Sequence, residues 1–293
     1  LSMTASPSPV ADRPSRVRAL MDLFRHNPLM MLSAMILLVL VLAALFAPYL
    51  GTVDPRKIGV LRRMAPPSPQ AWFGGDQLGR DLWTRALYGA RVSLMVGSVV
   101  AVMSISIGLL IGMISGYLRA FDAVIMRIMD GLMSIPGILL AIGLVSVSGA
   151  SFLTVTVAIM IPEIPRVVRL VRSIVLTVRE EPYVEAAIAV GTPVPLILWR
   201  HILPNCVPPL IVQATYVAAS AMLTEALLSF LGAGTPPEIP SWGNMMAEGR
   251  IVFPIAPWIV LIPGCTLAVT ILAVNVLGDG LRDRLDPKIA KRM

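Results

Sequence analysis

Six stretches of the chain are nearly unbroken apolar runs, and prolines and charges gather between them. Leu29 to Leu50, Val92 to Tyr117, Val124 to Val147, Phe152 to Val175, Val207 to Leu231 and Ile255 to Leu277 each approach or exceed the number of residues a helix needs to cross the hydrocarbon layer. Apolar residues surround these helices on all sides, a pattern for helices immersed in lipid or protein rather than for the surface of a soluble domain. The pattern predicts an all-α integral membrane protein with six transmembrane helices. Basic residues precede the first run as they would in a signal peptide, but the run is too long and no A-x-A site follows, so it reads as a retained anchor.

The polar segments divide the chain further. Residues 1–28 are rich in Pro, Ser and Arg without core-forming periodicity and read as a mobile cytoplasmic tail, with the Leu-Ser before Met3 as an upstream extension. Residues 51–91 form a long first loop. At its end Leu82, Trp83, Ala86, Leu87 and Ala90 share one helical face, which predicts an interfacial helix over Gly79 to Arg91 with Asp81, Thr84, Arg85 and Arg91 toward water or headgroups. Residues 92–293 hold the other five spans, and no repeat of 20 to 50 residues divides them.

Composition agrees with a membrane chain: 293 residues, 56% hydrophobic, only 14% charged, mean hydropathy +0.81. The net charge of +7 does not point to nucleic acid, because the basic residues flank apolar runs and no aromatic-plus-basic patch accompanies them. With both termini inside, the 24 Lys and Arg split 16 to eight in favour of the cytoplasmic side, as the positive-inside rule requires. Seven of the eight outer ones crowd into the first loop, between Arg56 and Arg91, against that rule.

Chemistry of its own is hard to find in the chain. Lys57, Lys288 and Lys291 are the only lysines and none follows a phosphate-binding glycine loop, so nucleotide hydrolysis would need another subunit. His26 and His201 lack a second ligand at i±4, and Cys206 and Cys265 have neither CxxC spacing nor a neighbouring His, so no metal site is expected. No G-x-S-x-G elbow is present. Acids inside spans are costly unless they face protein or water, which singles out Glu225 in AMLTEALLSFLGAG and Glu163 in IPEIPR. Each is a candidate for a water-lined pathway, for the contact with a second permease, or for packing between helices. Arg166 and Arg169 follow Glu163 on one side of its helix and favour packing there. Asp130 and Pro136 mark the start of the third span.

The segment EPYVEAAIAVGTPVPLILWRHILPN, Glu181 to Asn205, lies between the fourth and fifth spans. Pro182 suits a first helical turn, Glu180 and Glu181 its positive end, and Gly191 a left-handed stop, predicting a helix from Pro182 to about Val190. Thr192 can cap a second helix with Pro193 at N1, ending at a Leu203-Pro204-Asn205 break. Tyr183, Ala186, Ala187 and Val190 share a narrow face of small residues and one aromatic, better fitted to a partner's groove than to lipid.

Glu185-Ala186-Ala187, Gly191 and His201-Ile202-Leu203-Pro204-Asn205 at these spacings resemble the EAA loop of ABC-importer permeases. The generic loop has an apolar residue where His201 stands, and this departure resembles the peptide and nickel branch. Phe73 to Arg91, FGGDQLGRDLWTRALYGAR, is similar to the branch pattern FGTDxLGRDxxSRxxxGAR, with Gly75 for Thr and Thr84 for Ser. Leu223 to Met246 and Leu277 to Lys288 match as well, and the long first loop and tail resemble the DppC or OppC kind. The resemblance implies a type I importer permease in the bacterial inner membrane, a non-catalytic half of a dipeptide or oligopeptide pathway. Implied partners are a second homologous permease, one or two ATPase subunits that bind ATP and Mg²⁺, and an extracytoplasmic binding lipoprotein. It further implies that Tyr183, Glu185, Ala186, Ala187, Gly191, His201, Leu203, Pro204 and Asn205 form the ATPase-coupling loop. Nickel or another small solute is the alternative cargo. A self-contained secondary transporter is the alternative class, expected to show paired halves or coupling-ion acids.

Overall fold

The computed structural model describes residues 27–285, and among these the chain is all-α apart from turns and two isolated bridges in the first loop. Residues 1–26 of the expected tail, and residues 286–293, lie outside the described residues. Nine helices follow in order: α1 (Pro28–Leu45), α2 (Leu82–Tyr117), α3 (Arg119–Ser134), α4 (Gly137–Ser148), α5 (Phe152–Arg179), α6 (Pro182–Ala189), α7 (Val194–Phe230), α8 (Trp242–Gly249) and α9 (Trp258–Leu285). α1, α2, α7 and α9 are each long and apolar enough to cross a membrane, and α3 with α4 would make a fifth crossing.

The third run, Val124 to Val147, does not form one helix. α3 and α4 meet at 84°, because Ile135 precedes Pro136 and is pushed out of helical conformation to φ −95°, ψ 127°. The fourth, α5, forms over Phe152–Arg179 and runs through Pro162 and Pro165, but its charges keep it out of the set of purely apolar crossings. Its place is fixed by α2, the helix it packs against most extensively. Gly108, Gly112 and Gly116 of α2 face Val167, Val171 and Val175 of α5, and a Cβ at these glycines would fall 2.5, 2.7 and 2.7 Å from the corresponding valine Cβ atoms. Small residues four apart on one helix and branched residues four apart on the other bring the two backbones together along three turns. α7 closes on the other side of α2 at Gly97, beside Met222, and on α9 at Gly278, beside Thr215. α9 in turn holds α1 where Gly280 meets Met30.

The run Gly79 to Arg91 is not a separate interfacial helix. It opens the 36-residue α2, capped by Asp81, whose carboxylate accepts from the Thr84 backbone N–H at 2.8 Å. Thr84 and Arg85 are buried, not turned to water. Arg85 and Arg80 reach Glu248 of α8 at 3.0 and 2.5 Å, and Arg80 also pairs with Asp76 at 2.5 Å, so partners on the loop and on α8 replace the lost water. Arg91 donates to the carbonyls of Ala44 and Leu45 at the end of α1, the latter at 2.8 Å, where a cation opposes the helix dipole. Three of the seven basic residues that crowded the first loop are thus consumed inside the fold. Trp242 of α8 completes this cap, donating its indole N–H to Ala86 O at 3.1 Å and its backbone N–H to Ser93 Oγ at 3.3 Å.

Gly112→Leu is expected to overpack the α2–α5 contact by about 1–3 kcal/mol or more and to lower the melting temperature of the purified complex. Gly143→Ala, where a Cβ meets nothing within 4 Å, serves as the control with no shift.

Candidate functional site

α5 ends at Arg179, and the chain turns through Glu180 and Glu181 into α6, with Pro182 in its first turn as the sequence predicts. Glu181 gives its backbone carbonyl, not its carboxylate, to the first helical N–H groups. α6 stops at a left-handed Gly191, φ +79°, where the Thr192 N–H reaches Ala187 O at 3.0 Å and the Gly191 N–H reaches Ile188 O at 2.9 Å. This is a Schellman closure, and a Cβ at Gly191 would touch nothing, so the requirement for glycine comes from the backbone alone.

The second limb departs from expectation in two places. Thr192 does not cap it; Pro193 occupies the cap in extended conformation and the helix begins at Val194, one residue later. Nor does it break at Leu203-Pro204-Asn205. The chain passes through a π turn at Leu198–Ile202, in which the Leu203 N–H reaches back to Leu198 O, and continues as α7 to Phe230. A proline ring clashes with a carbonyl one turn back in a regular helix, and the wider π turn just ahead of Pro204 makes room for it. The loop is therefore stiffly continuous with the long helix that follows.

One face of this loop is a keel. Val184, Ile197, Ile202 and Cys206 are fully buried and join the cluster containing Val171, Val175 and Val178 of α5. The opposite face is open: Tyr183, Ala186 and Ile188 on α6 and Val190 at its C-cap, with Leu196 and Trp199 on the second limb, and Val190 is 81% exposed. Ala187 is half-buried on the side of the turn. The Glu185 carboxylate is exposed and has no ion-pair partner among the described residues. Tyr183, His201 and Asn205 come together across the loop: the Tyr183 and His201 rings lie 5.9 Å apart, and Asn205 Nδ2 donates to His201 O at 2.6 Å and to Tyr183 Oη at 3.3 Å. Leu203 is half-buried and Pro204 exposed where α7 resumes regular α-helix after the π turn. Trp199 was not among the expected contacts, though an exposed tryptophan beside Arg200 in a polar segment is itself a signal.

The two acids lie elsewhere. Glu163 is bound by Arg166 NH1 at 3.0 and 3.1 Å and by Ser220 Oγ of α7 at 3.0 Å, so it joins α5 to α7, while Arg169 turns to Asp130 of α3 at 2.7 Å. Glu225 is fully buried, its Oε1 accepting from Ser229 and Ser241 at 2.9 Å each and from Thr235 at 3.3 Å. Gly243 packs over it, where a Cβ would come within 2.7 Å of Ala226 Cα and 3.2 Å of Glu225 Oε2. In this chain Glu225 is enclosed beneath the loop that leads to α8.

The profile of the family described as binding-protein-dependent transport system inner membrane component matches residues 104–291. That of the N-terminal TM domain of oligopeptide transport permease C matches residues 17–67. A probable peptide ABC transporter permease of Sinorhizobium fredii is 54% identical over 92% of both chains. The dipeptide transport system permease DppC of Alkalihalophilus pseudofirmus is 40% identical over 98% of this chain and 96% of its own, and the probable D,D-dipeptide transport system permease of Escherichia coli is 43% identical over 91% and 90%. Among solved structures, an inward-facing MetNI methionine ABC transporter superposes with a TM-score of 0.57 at 18% identity, covering 70% of this chain and 97% of that one, a likeness of fold. The helices, the exposed loop between α5 and α7 and these matches agree: the chain belongs to the family of binding-protein-dependent transport system inner membrane components, the permeases of ABC importers.

Proposed function

We propose that this chain forms one half of the membrane pathway of an ATP-driven importer for dipeptides or oligopeptides, in the bacterial inner membrane with both termini cytoplasmic. The crossings are α1, α2, the bent pair α3–α4, α5, α7 and α9, six in all. α5 is included because it lies along α2 at Gly108, Gly112 and Gly116, over the last three turns of that spanning helix. The cargo reading rests on the names of the relatives. A second permease of the same family would complete the pathway, an extracytoplasmic lipoprotein would deliver cargo, and partner ATPase subunits would bind ATP and Mg²⁺.

The observation that carries the reading is the two-faced loop, with Val184 buried in the helix bundle and Tyr183, Ala186 and Val190 open on the other side. A short apolar face on a rigid base fits a groove on another protein. Seated there, α6 passes the movement of the ATPase to α5 through the keel and to α7 through the uninterrupted second limb. Bond breaking stays in the ATPase, and this chain contributes a lever and a wall. Glu185 would meet a polar or basic group at the edge of the groove, and the Tyr183, His201 and Asn205 contacts would keep the two limbs at a fixed angle. Glu225 would act as a latch that holds the outer loop and α8 against α7.

Gly191→Pro should abolish uptake, since proline cannot adopt φ +79°, and Glu185→Lys should reduce it by about tenfold or more through a mispaired charge at the contact. Both are measured as peptide uptake and peptide-stimulated ATP hydrolysis in the reconstituted complex; unchanged values for both variants contradict the coupling role. Glu225→Leu removes the acceptor of three hydroxyls and should destabilise the complex by roughly 1–3 kcal/mol or more, with Glu225→Gln closer to wild type. Uptake lost from a Glu225→Leu complex of unchanged melting temperature would instead assign Glu225 to the pathway.

A further inference from the structure

α5 has two unlike faces. Val167, Val171, Val175 and Val178 are buried against α2 and the core, while Arg166, Arg169, Ser173 and Thr177, at steps of three or four residues, are all exposed. The side chains of Arg166 and Arg169 are 47% and 46% exposed, and Asp130 of α3, which pairs with Arg169, is 56% exposed. Their depth follows from the packing of α5 on α2. Arg166 and Arg169 flank Val167, which meets Gly108, and Gly108 is nine residues inside the end of α2 at Tyr117, about 14 Å along the axis. Charges half open to their surroundings at that depth would cost several kcal/mol each in lipid, so they face water or a polar surface. The guanidinium groups also retain capacity: Arg166 spends one nitrogen on Glu163 and Arg169 one on Asp130.

We propose that Arg166, Arg169, Ser173 and Thr177 of α5, with Asp130 of α3, form the water-facing wall of the inner half of the translocation pathway, and that the Arg169–Asp130 pair is a transit subsite for zwitterionic peptide. The inference rests on the permease reading. A short peptide carries a carboxylate at one end and an ammonium at the other, and the exposed ion pair is its charge complement: the guanidinium takes the carboxylate and Asp130 the ammonium. The pair is at hand for exchange because neither partner is buried, so neither must be stripped from a dry interior before it can change partners. Ser173 and Thr177 continue the stripe by two turns toward the end of α5 and offer hydroxyls without fixed charge, a surface on which a zwitterion is hydrated but not retained.

The stripe is tested by thiol labelling of the whole importer in inside-out vesicles. The background carries Cys265→Ser and keeps the buried Cys206; the probe is the anionic, membrane-impermeant 2-sulfonatoethyl methanethiosulfonate. Ser173→Cys and Thr177→Cys are expected to react about tenfold or more faster than Leu38→Cys on the outer face of α1, since only water delivers a charged reagent. Equal rates overturn the wall. So does labelling that appears only when the paired permease is omitted, which would assign the stripe to the contact between permeases. Dialanine is then expected to slow labelling of Ser173→Cys, dialanine amide is not, and Arg169→Gln should remove the dialanine effect. No slowing by dialanine, or slowing that survives Arg169→Gln, overturns the subsite. Labelling needs no ATP, so failure of the wall is read separately from failure of the permease reading, whose sign is absent peptide-stimulated ATP hydrolysis in the unsubstituted complex.

Discussion

The close approach of α2 and α5 at Gly108, Gly112 and Gly116 is the constraint on which the rest of the molecule depends. Lipid offers no hydrophobic drive for helices to associate, so close packing and polar contacts must supply it. Here packing is gained by removing side chains from one helix and placing branched valines opposite. Once the backbones meet, α5 must lie along α2 despite its arginines. Those arginines are then accommodated in order: Arg166 on Glu163, Arg169 on Asp130, and Arg172 on Asp122, with Ser115 of α2 adding a hydroxyl to the same Asp122 oxygen at 2.8 Å. α3 is held sideways by two of these pairs, which complements the break at Pro136.

The same contact underlies the role we propose for the loop after α5 as a handle. Val175 and Val178 sit in the last turns of α5, in one cluster with Val184 and Ile197 of the loop. A displacement of α6 therefore acts on a helix already locked to α2 rather than on a free end. At the opposite end of α2 the cap is rigid for a different reason. Asp76 and Arg80 of the first loop, Arg85 in the first turn of α2 and Glu248 of α8 form one set of ion pairs, and Glu225 gathers three hydroxyls under the connection between α7 and α8. Buried ion pairs of this kind add little net stability but penalise every arrangement that separates the partners, so they fix geometry.

Features that depend on one residue's backbone preference were legible in the sequence. Gly191 as a left-handed stop and Pro182 at the start of α6 follow from steric rules that hold without knowledge of the neighbours. Features that depend on what lies across the fold were not. A hydropathy window averages over Pro136 and returns one continuous run where the chain turns by 84°. Pro204 reads as a break because the sequence does not reveal that the preceding turn widens to a π turn. Arg85 looks like a headgroup contact until Glu248, more than 160 positions away, is placed beside it. The two short helical limbs between α5 and the long part of α7 were recoverable through spacing, whereas the keel at Val184 was hidden among the alanines and valines around it.

The central claim is that α6 and α5 move as one body when the ATPase acts. Spin labels at Ala189→Cys on α6 and Thr177→Cys on α5, in the assembled importer with Cys265→Ser, test it most directly through the distance between them with and without trapped ATP. The account predicts that this distance holds while the distance from Ala189→Cys to a label at Leu32→Cys on α1 changes. A change confined to the α6–α5 distance, with α5 stationary relative to α1, would contradict it.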